Sequence, residues 1–298
     1  MGDMNRRDFL KLAGIGGVVF ISGLGTLAYA SDQKIVADDF FFVQLSDTHW
    51  GFEGTKANPD AKGTLLKAVT AINNLINQPD FIVFTGDLTH TTDDPQGRRK
   101  RLAEFKDIIK QLKVTNIKLI PGEHDASLDS GAAFQEYFGE THYTFKHKGV
   151  HFITLDNVSD PTGSVGEAQL VWLGEELKKI DKNDRIVVFT HRPLFDLYPQ
   201  WDWATRDGTK VMELLMPFKH VTVFYGHIHQ EHHHLTEHIT HYAAKSLIFP
   251  LPIPGSVPKR APIPWDPTFP YKGLGFRSIE TTSKKSEYVI TEYPVVKG

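Results

Sequence analysis

Five short segments of this chain each place carboxylate or imidazole side chains directly after an apolar run that predicts a strand. In chain order the segments are Asp47-Thr48-His49, Gly86-Asp87, Gly122-Glu123-His124-Asp125, Thr190-His191 and Gly226-His227-Ile228-His229. The runs before them cover 41–45, 81–84, 117–120, 186–189 and 221–225 and are rich in Phe, Ile and Val. Such runs are typical of strands covered on both faces, and polar residues at the carboxyl ends of these strands converge on one crevice. The pattern therefore predicts a layered fold with a single polar site.

The residue types in these segments indicate metal chemistry. Mixed carboxylates and imidazoles suit ions such as Mn, Fe, Zn or Co. Two ions about 3.5–4 Å apart can clamp the attacking and leaving oxygens of a phosphoryl transfer, provided that one carboxylate bridges them. One such segment would carry little weight, because short motifs recur by chance. Five in sequence, each after a strand, predict a two-metal hydrolase.

The remaining pattern alternates strands and helices as far as His229 and contains only strands afterwards. Helices are predicted over 61–78, 96–112, 167–180 and 209–218, and a hairpin over 143–148 and 150–155. Further strands are predicted over 232–240, 241–249, 275–281 and 287–294, with a proline-rich stretch over 249–271. This order predicts an α/β fold, a four-layer α/β/β/α sandwich of two mixed β-sheets flanked by helices.

Composition narrows the functional classes. The chain has 298 residues, 40% of them hydrophobic and 23% charged, which suits one large globular domain. A net charge of −3 gives no basis for bulk electrostatic binding to nucleic acid. The chain contains no cysteine, which excludes zinc–thiolate sites, disulfides and cysteine nucleophiles.

The N-terminus has the features of a targeting segment. Residues 5–11, Asn-Arg-Arg-Asp-Phe-Leu-Lys, resemble a twin-arginine export signal, and a glycine-rich apolar stretch follows over 12–27. Ala28-Tyr29-Ala30 supplies a small-x-small cleavage site before Ser31. We therefore expect residues 1–30 to be a signal peptide and 31–298 the functional domain. This predicts the twin-arginine export machinery as a partner, a periplasmic or secreted location, and no stable membrane insertion after cleavage. A retained membrane anchor is the alternative.

The five segments resemble the pattern of the calcineurin-like metallophosphoesterase superfamily: Asp-x-His, Gly-Asp, Gly-Asn-His-Asp, His and Gly-His-x-His. The resemblance extends from about residue 41 to about residue 276, and within the superfamily it is greatest to class III cyclic-nucleotide phosphodiesterases, through 166–173 and 226–230. It implies two transition-metal ions, with Fe, Mn and Zn as candidates. The implied ligands are Asp47, His49 and His229 for the first ion, Glu123, His191 and His227 for the second, and Asp87 as the bridge. His124 would stabilise the transition state or protonate the leaving oxygen, and Asp125 would orient His124. Capping of a turn is the alternative role for Asp125.

Glu123 departs from this pattern, in which asparagine occupies the position. Glutamate adds a negative charge and a methylene, so the metal pair becomes less positive and retains a higher-valent ion, such as ferric iron, better. Alternatively, the carboxylate would turn away and weaken the second site.

The expected function is an exported phosphoesterase that hydrolyses small phosphodiesters with a metal-bound hydroxide and no covalent intermediate. Two alternatives remain: a broad phosphomonoesterase or nucleotidase, and a non-hydrolytic metal- or phosphate-binding relative disabled by Glu123. The intact His124-Asp125 pair argues against the second, because a binding protein needs no leaving-group acid.

Three other features stay open in the sequence. The histidine-rich stretch 232–241 suits either an extra metal site or, as we favour, an exposed pair of strands. Tyr198, Trp201 and Trp203 suit a wall beside the substrate, core packing or a lid contact. The proline-rich stretch suits a rim, a lid or a partner surface.

Overall fold

Two six-stranded sheets form the centre of the computed structural model, which describes residues 19–21, 39–281 and 288–296. The strands are β1 (Val19–Ile21), β2 (Phe40–Leu45), β3 (Phe81–Thr85), β4 (Ile117–Ile120), β5 (Tyr143–His147), β6 (Val150–Thr154), β7 (Arg185–Phe189), β8 (His220–Tyr225), β9 (His232–Thr236), β10 (Ile239–Ala243), β11 (Gly275–Thr281) and β12 (Tyr288–Pro294). The helices are α1 (Ala61–Asn73), α2 (Pro95–Ile109), α3 (Glu123–Ala126), α4 (Ala132–Phe138), α5 (Glu167–Leu177) and α6 (Gly208–Leu215).

Both sheets are mixed, with parallel strands at their centres. The first sheet has the order β1-β12-β11-β2-β3-β4, and β2, β3 and β4 run parallel. The second has the order β5-β6-β7-β8-β10-β9, and β6, β7, β8 and β10 run parallel. All five polar segments follow one of these parallel strands. Their side chains therefore meet at the carboxyl edges of the two sheets, as predicted.

An aromatic layer joins the two sheets. The Phe42 ring stacks on Phe81 of its own sheet at 4.8 Å and meets Phe189 of the other sheet edge-on at 5.7 Å. Offset and edge-on geometries are the ones that aromatic pairs prefer, and each pair adds contact energy to the burial of its area. The layer gives the two strand edges a rigid relative position.

Helices cover the outer face of each sheet. Leu65 and Val69 of α1 and Phe105 of α2 pack on the first sheet, and Leu173 of α5 and Val211 of α6 pack on the second. The predicted α/β/β/α sandwich is therefore confirmed.

Several boundaries differ from the predictions. The helix predicted over 61–78 ends at Asn73, the other long helices also end early, and the short helices α3 and α4 escaped prediction. The turn between β9 and β10 lies at Glu237 (φ 54°), before the predicted boundary at 240 and 241, so β9 ends at Thr236 and β10 begins at Ile239. β10 ends at Ala243, well before the predicted residue 249. The last strand begins at Tyr288.

The predicted signal peptide lies outside the described residues, apart from β1, which pairs antiparallel with β12. Across the described ranges, no helix has the length and apolar character needed to cross a membrane.

Candidate metal centre

Five of the seven candidate ligands lie on strained backbone turns. Asp47, His49, Asp87, His227 and His229 all have positive φ, between 42° and 66°. A left-handed conformation costs a residue other than glycine about 1–3 kcal/mol, and such residues cluster at functional sites. Glycine is the usual sequence signal for a left-handed conformation. None of these positions is a glycine, so the sequence does not reveal the strain.

Glycines beside these turns allow the backbone to approach closely. A Cβ atom on Gly122 would lie 2.1 Å from the Asp87 backbone nitrogen, and one on Gly86 would lie 2.3 Å from His191 Nδ1. Both distances are far inside contact range, so any larger residue would displace a candidate ligand. The glycines of the motifs therefore have a packing role as well as a turn role.

One group of buried ligand atoms comprises those of Asp47, His49, Asp87 and His229, all within 4.8 Å of one another. His229 Nε2 lies 3.3 Å from Asp47 Oδ1, and His49 Nε2 lies 3.4 Å from Asp87 Oδ2. His49 Nε2 and His229 Nε2 face each other at 3.3 Å. Two imidazole nitrogens turned toward each other beside two carboxylates form a donor set that a cation fits.

A second group comprises Glu123, His191 and His227. Glu123 Oε1 lies 2.8 Å from His227 Nδ1, and Oε2 lies 2.9 Å from His191 Nε2. Glu123 Oε2, His191 Nε2 and His227 Nδ1 are buried without a well-formed hydrogen bond. Buried polar atoms rarely stay unsatisfied, so this cluster also fits a metal ion. The glutamate faces both histidines, and the alternative in which it turns away is not what the structure shows.

Asp87 connects the two groups. Its Oδ2 atom lies 3.4 Å from His49 Nε2 of the first group and 3.4 Å from His191 Nε2 of the second. This position between the groups is the one that a bridging carboxylate requires. Burial and Glu123 act to raise the pKa of Asp87, but the neighbouring histidines outweigh them and hold it below its usual range.

Backbone carbonyls orient three of the four candidate ligand histidines. His191 Nδ1 donates to the Thr85 carbonyl and His229 Nδ1 to the Phe249 carbonyl, both at 2.7 Å. His227 Nε2 donates to the Asp202 carbonyl at 3.0 Å. A carbonyl only accepts, so in each ring the opposite nitrogen keeps its lone pair for a metal.

The fourth, His49, has a different partner. Its Nδ1 atom lies 3.2 Å from Nδ1 of His90, so one ring donates and the other accepts. Burial and nearby His124 lower the pKa of His90 to about 4, which keeps its ring neutral. No role was predicted for His90, because it lies beyond the recognisable Gly86-Asp87 motif. Only the fold brings it to His49.

His124 lies beside Asp87. Its backbone N–H donates to Asp87 Oδ1 at 2.9 Å, and its Nε2 atom lies 4.0 Å from Asp87 Oδ2. The Thr91 N–H donates to Nδ1 at 3.2 Å, so in the neutral ring Nε2 carries the hydrogen. His124 thus presents a proton donor to the space beside the Asp87 carboxylate.

Of the two roles considered for Asp125, the contacts in the structure match the capping of a turn. The Asp125 carboxylate accepts hydrogen bonds from the backbone N–H groups of Gly122, Leu88 and Thr89 and from the Thr89 hydroxyl, at 2.8–3.0 Å. It therefore braces the turn that carries Asp87, while Thr91 orients the His124 ring. Burial and the Asp87 charge raise the pKa of Asp125 to about 6, although those backbone donors favour its charged form.

The open features of the sequence resolve in different ways. Trp201 and Trp203 are buried and pack with Tyr225, so their role is core packing. The histidines of β9 and β10 are absent from the metal-binding groups found among the described residues. They lie on a strand pair, as favoured, and the His234 ring of β9 stacks on Phe195 at 3.8 Å. The pair is exposed only along β9, because β10 is mostly buried and His241 is fully buried.

Comparison with known proteins supports one family. The sequence profile described as "Calcineurin-like phosphoesterase" matches residues 42–231. A "Probable glycerophosphodiester phosphodiesterase GpdQ" of Arcobacter nitrofigilis is 31% identical over 160 residues, which cover 51% of this chain and 56% of that protein. A "Probable cyclic nucleotide phosphodiesterase RPA0124" of Rhodopseudomonas palustris is 25% identical, covering 72% of this chain and 84% of that protein. The "Serine/threonine-protein phosphatase CPPED1" of Mus musculus is 27% identical, covering 52% and 57%.

Two of these matches therefore span little more than half of the relative's length. Among solved structures, a dimetal phosphatase from Danio rerio superposes with a TM-score of 0.61 at 14% identity, covering 87% of this chain and 97% of that one. At this identity the likeness shows the fold alone. The profile match, which covers most of the described chain, shows that the protein belongs to the calcineurin-like phosphoesterase family.

Proposed function

We propose that this chain is a dinuclear-metal phosphoesterase that hydrolyses phosphodiesters. The observation that carries the proposal is the position of Asp87 Oδ2, 3.4 Å from a histidine of each ligand group. Two ions held by these groups would activate a water and balance the charge of a phosphoryl group. Iron, manganese and zinc all suit the mixed carboxylate and imidazole ligands.

Other side chains around the site would have separate roles in binding and catalysis. The carbonyl-bound histidines keep the ligand set preorganised, so little reorganisation is needed when the substrate binds. His124 Nε2 would donate a hydrogen bond to the phosphoryl group or a proton to the leaving oxygen. The turn braced by Asp125 would keep Asp87 in register with both groups.

A phosphodiester is favoured as the substrate by the relatives named as glycerophosphodiester and cyclic nucleotide phosphodiesterases. A phosphomonoester is the second candidate, because another relative is named as a protein phosphatase. Turnover of bis-p-nitrophenyl phosphate and p-nitrophenyl phosphate by the purified protein separates the two. We expect the higher kcat/KM for the diester, and a higher value for the monoester would favour the second candidate. Activity on neither ester would support the non-hydrolytic alternative.

Metal analysis tests the dinuclear site. We expect close to two transition-metal ions per chain, and we expect Asp87→Ala to lose most of them because it removes the shared ligand. Asp80→Ala is the matched control: Asp80 precedes the same strand, and its carboxylate pairs with His147 at 3.0 Å and Lys148 at 3.1 Å. Unchanged metal content in Asp87→Ala would refute the two-metal proposal.

Export by the twin-arginine route is part of the proposal and rests on the N-terminal sequence. Expression of the full chain followed by fractionation should place it outside the cytoplasm, with Ser31 as its first residue. Replacing Arg6 and Arg7 by lysine should retain it in the cytoplasm. Equal export of that variant would exclude this route.

A further inference from the structure

Glu123 has a cationic neighbour in addition to its two histidine partners. Its side chain is 18% exposed, and its Oε2 atom lies 3.7 Å from Nε of Arg192. With Asp47 and Asp87, Glu123 brings three carboxylates to the centre, one more than the family pattern with asparagine. The extra negative charge needs a counter-charge in a site with so little solvent.

Arg192 is placed to supply that counter-charge. Its side chain is only 10% exposed, and its Nη2 atom pairs with Asp202 Oδ2 at 2.7 Å. The Asp202 side chain is 62% exposed, so solvent screens much of its charge, whereas Glu123 faces the guanidinium from the interior. The charge of Arg192 therefore offsets that of Glu123. The net charge of the buried side chains is then close to that of a site with two carboxylates and a neutral asparagine.

Arg192 also connects the two sides of the second ligand group. At one end it approaches Glu123, and at the other it holds the residue whose backbone carbonyl accepts the hydrogen bond from His227 Nε2. Displacement of the guanidinium would therefore disturb both Glu123 and the loop that orients His227. Arginine suits this role because its guanidinium group stays charged and, being planar with several donors, can pair with two partners at once.

We propose that Arg192 is a positioning residue for the second metal site: it offsets the charge of Glu123 and holds both Glu123 and the Asp202 loop in place. Glu123 and Arg192 then function as a unit, and glutamate is tolerated here because the next residue after His191 is an arginine. The metal-binding part of this inference rests on the proposed function, whereas the pairing of the two side chains does not.

The pairing is tested by the thermal stability of the metal-free protein, which needs neither activity nor metal. The four proteins compared are the wild type, Glu123→Gln, Arg192→Met and the double variant. Removing one partner of a buried ion pair leaves the other charge uncompensated, whereas replacing both is often neutral. We expect Arg192→Met to lower the melting temperature by roughly 5 °C or more in the wild-type background, and by clearly less in the Glu123→Gln background, where the exposed pair with Asp202 is lost but no buried carboxylate is left uncompensated. An equal loss in both backgrounds would overturn the proposal.

Two further variants serve as controls for this comparison. Arg192→Lys keeps the charge and should recover part of the stability beside Glu123, which a purely steric role would not predict. Arg99→Met removes a guanidinium that pairs with Glu136 on the surface at 2.7 Å, and its effect should be the same in both backgrounds. If Arg192→Met does not fold, Arg192→Gln replaces it in the same cycle.

Manganese titration tests the effect on the metal site. Glu123→Gln alone leaves the guanidinium beside the second ion without its carboxylate, so we expect this variant to bind the second Mn²⁺ most weakly of the four. The double variant should regain affinity by on the order of tenfold, because the repelling charge is gone. Equal affinity in the single and double variants would overturn the proposal. A wild type that binds fewer than two Mn²⁺ would instead refute the proposed function, and the melting comparison would still decide the pairing.

Discussion

The replacement of His124 by alanine tests the catalytic geometry most directly. The contact between residue 124 and the bridging carboxylate uses the backbone N–H, which donates to Asp87 Oδ1 at 2.9 Å. Alanine keeps this hydrogen bond, so His124→Ala should retain the bridge and both metals. The imidazole is lost, and with it the Nε2 hydrogen that Thr91 fixes by donating to Nδ1.

The expected loss follows from that donor. A positioned general acid or hydrogen-bond donor contributes on the order of 10²–10⁴ in rate, which corresponds to about 3–5 kcal/mol of transition-state stabilisation. The ring is 26% exposed and stacks on His90 with a centroid distance of 4.9 Å, so its removal leaves no large buried cavity. The loss should therefore appear in kcat and not in folding.

The assay compares two leaving groups. Hydrolysis of bis-p-nitrophenyl phosphate releases a stable phenolate and should lose less, while a methyl phosphodiester needs a proton on its leaving oxygen and should lose more. His151→Ala serves as a control, because His151 pairs with Asp184 at 3.1 Å away from the centre. Metal content is measured in both variants. Unchanged turnover of the methyl ester, with two metals retained, would refute the assigned role.

Three further predictions concern residues around the centre and in the second sheet. His90→Ala should weaken binding at the first metal site by roughly 10–100-fold in chelator competition, because it removes the partner of His49; unchanged affinity would contradict this. Asp125→Asn should lower the unfolding free energy of the metal-free protein by about 2 kcal/mol or more in urea, because an amide accepts at only one of its two positions; a neutral effect would exclude the brace. Burial, together with His234 and its neighbours, lowers the pKa of His241 to about 3, so the unfolded chain binds this proton first and stability is lost as pH falls below about 6.5. In His241→Leu, the loss of unfolding free energy from pH 8 to pH 5 should shrink by about 2 kcal/mol, and an unchanged pH dependence would contradict the assignment.

The candidate ligands were predictable because each one follows a recognisable strand within a few residues. A buried strand has a recognisable composition, and Asp47, Asp87 and His191 each follow one within a few residues. The parallel arrangement then brings strand ends together without further information. The boundaries of the helices were less predictable, because tertiary contacts and local turns decide where a helix ends.

Asp125 shows a role that the sequence left open. The family resemblance implied that it orients His124, and turn capping was the alternative. In the fold, the carboxylate meets the backbone N–H groups of Leu88 and Thr89, which lie 37 and 36 residues earlier in the chain. A buried carboxylate accepts hydrogen bonds from the donor groups that the fold brings close to it. Separation along the chain does not reveal which N–H groups these are.

The sequence by itself determined the layered fold and the kinds of atoms that reach the centre, because strand composition and the residues after each strand are local properties of the chain. The tertiary structure alone decided which atoms face one another. His49 and His229 face each other at 3.3 Å although they are 180 positions apart in the chain, and His90 and Arg192 join the centre through contacts that no motif marks. The physical reason is that the aromatic layer sets the position of one sheet against the other. That position, and not spacing along the chain, fixes distances between side chains from different strands.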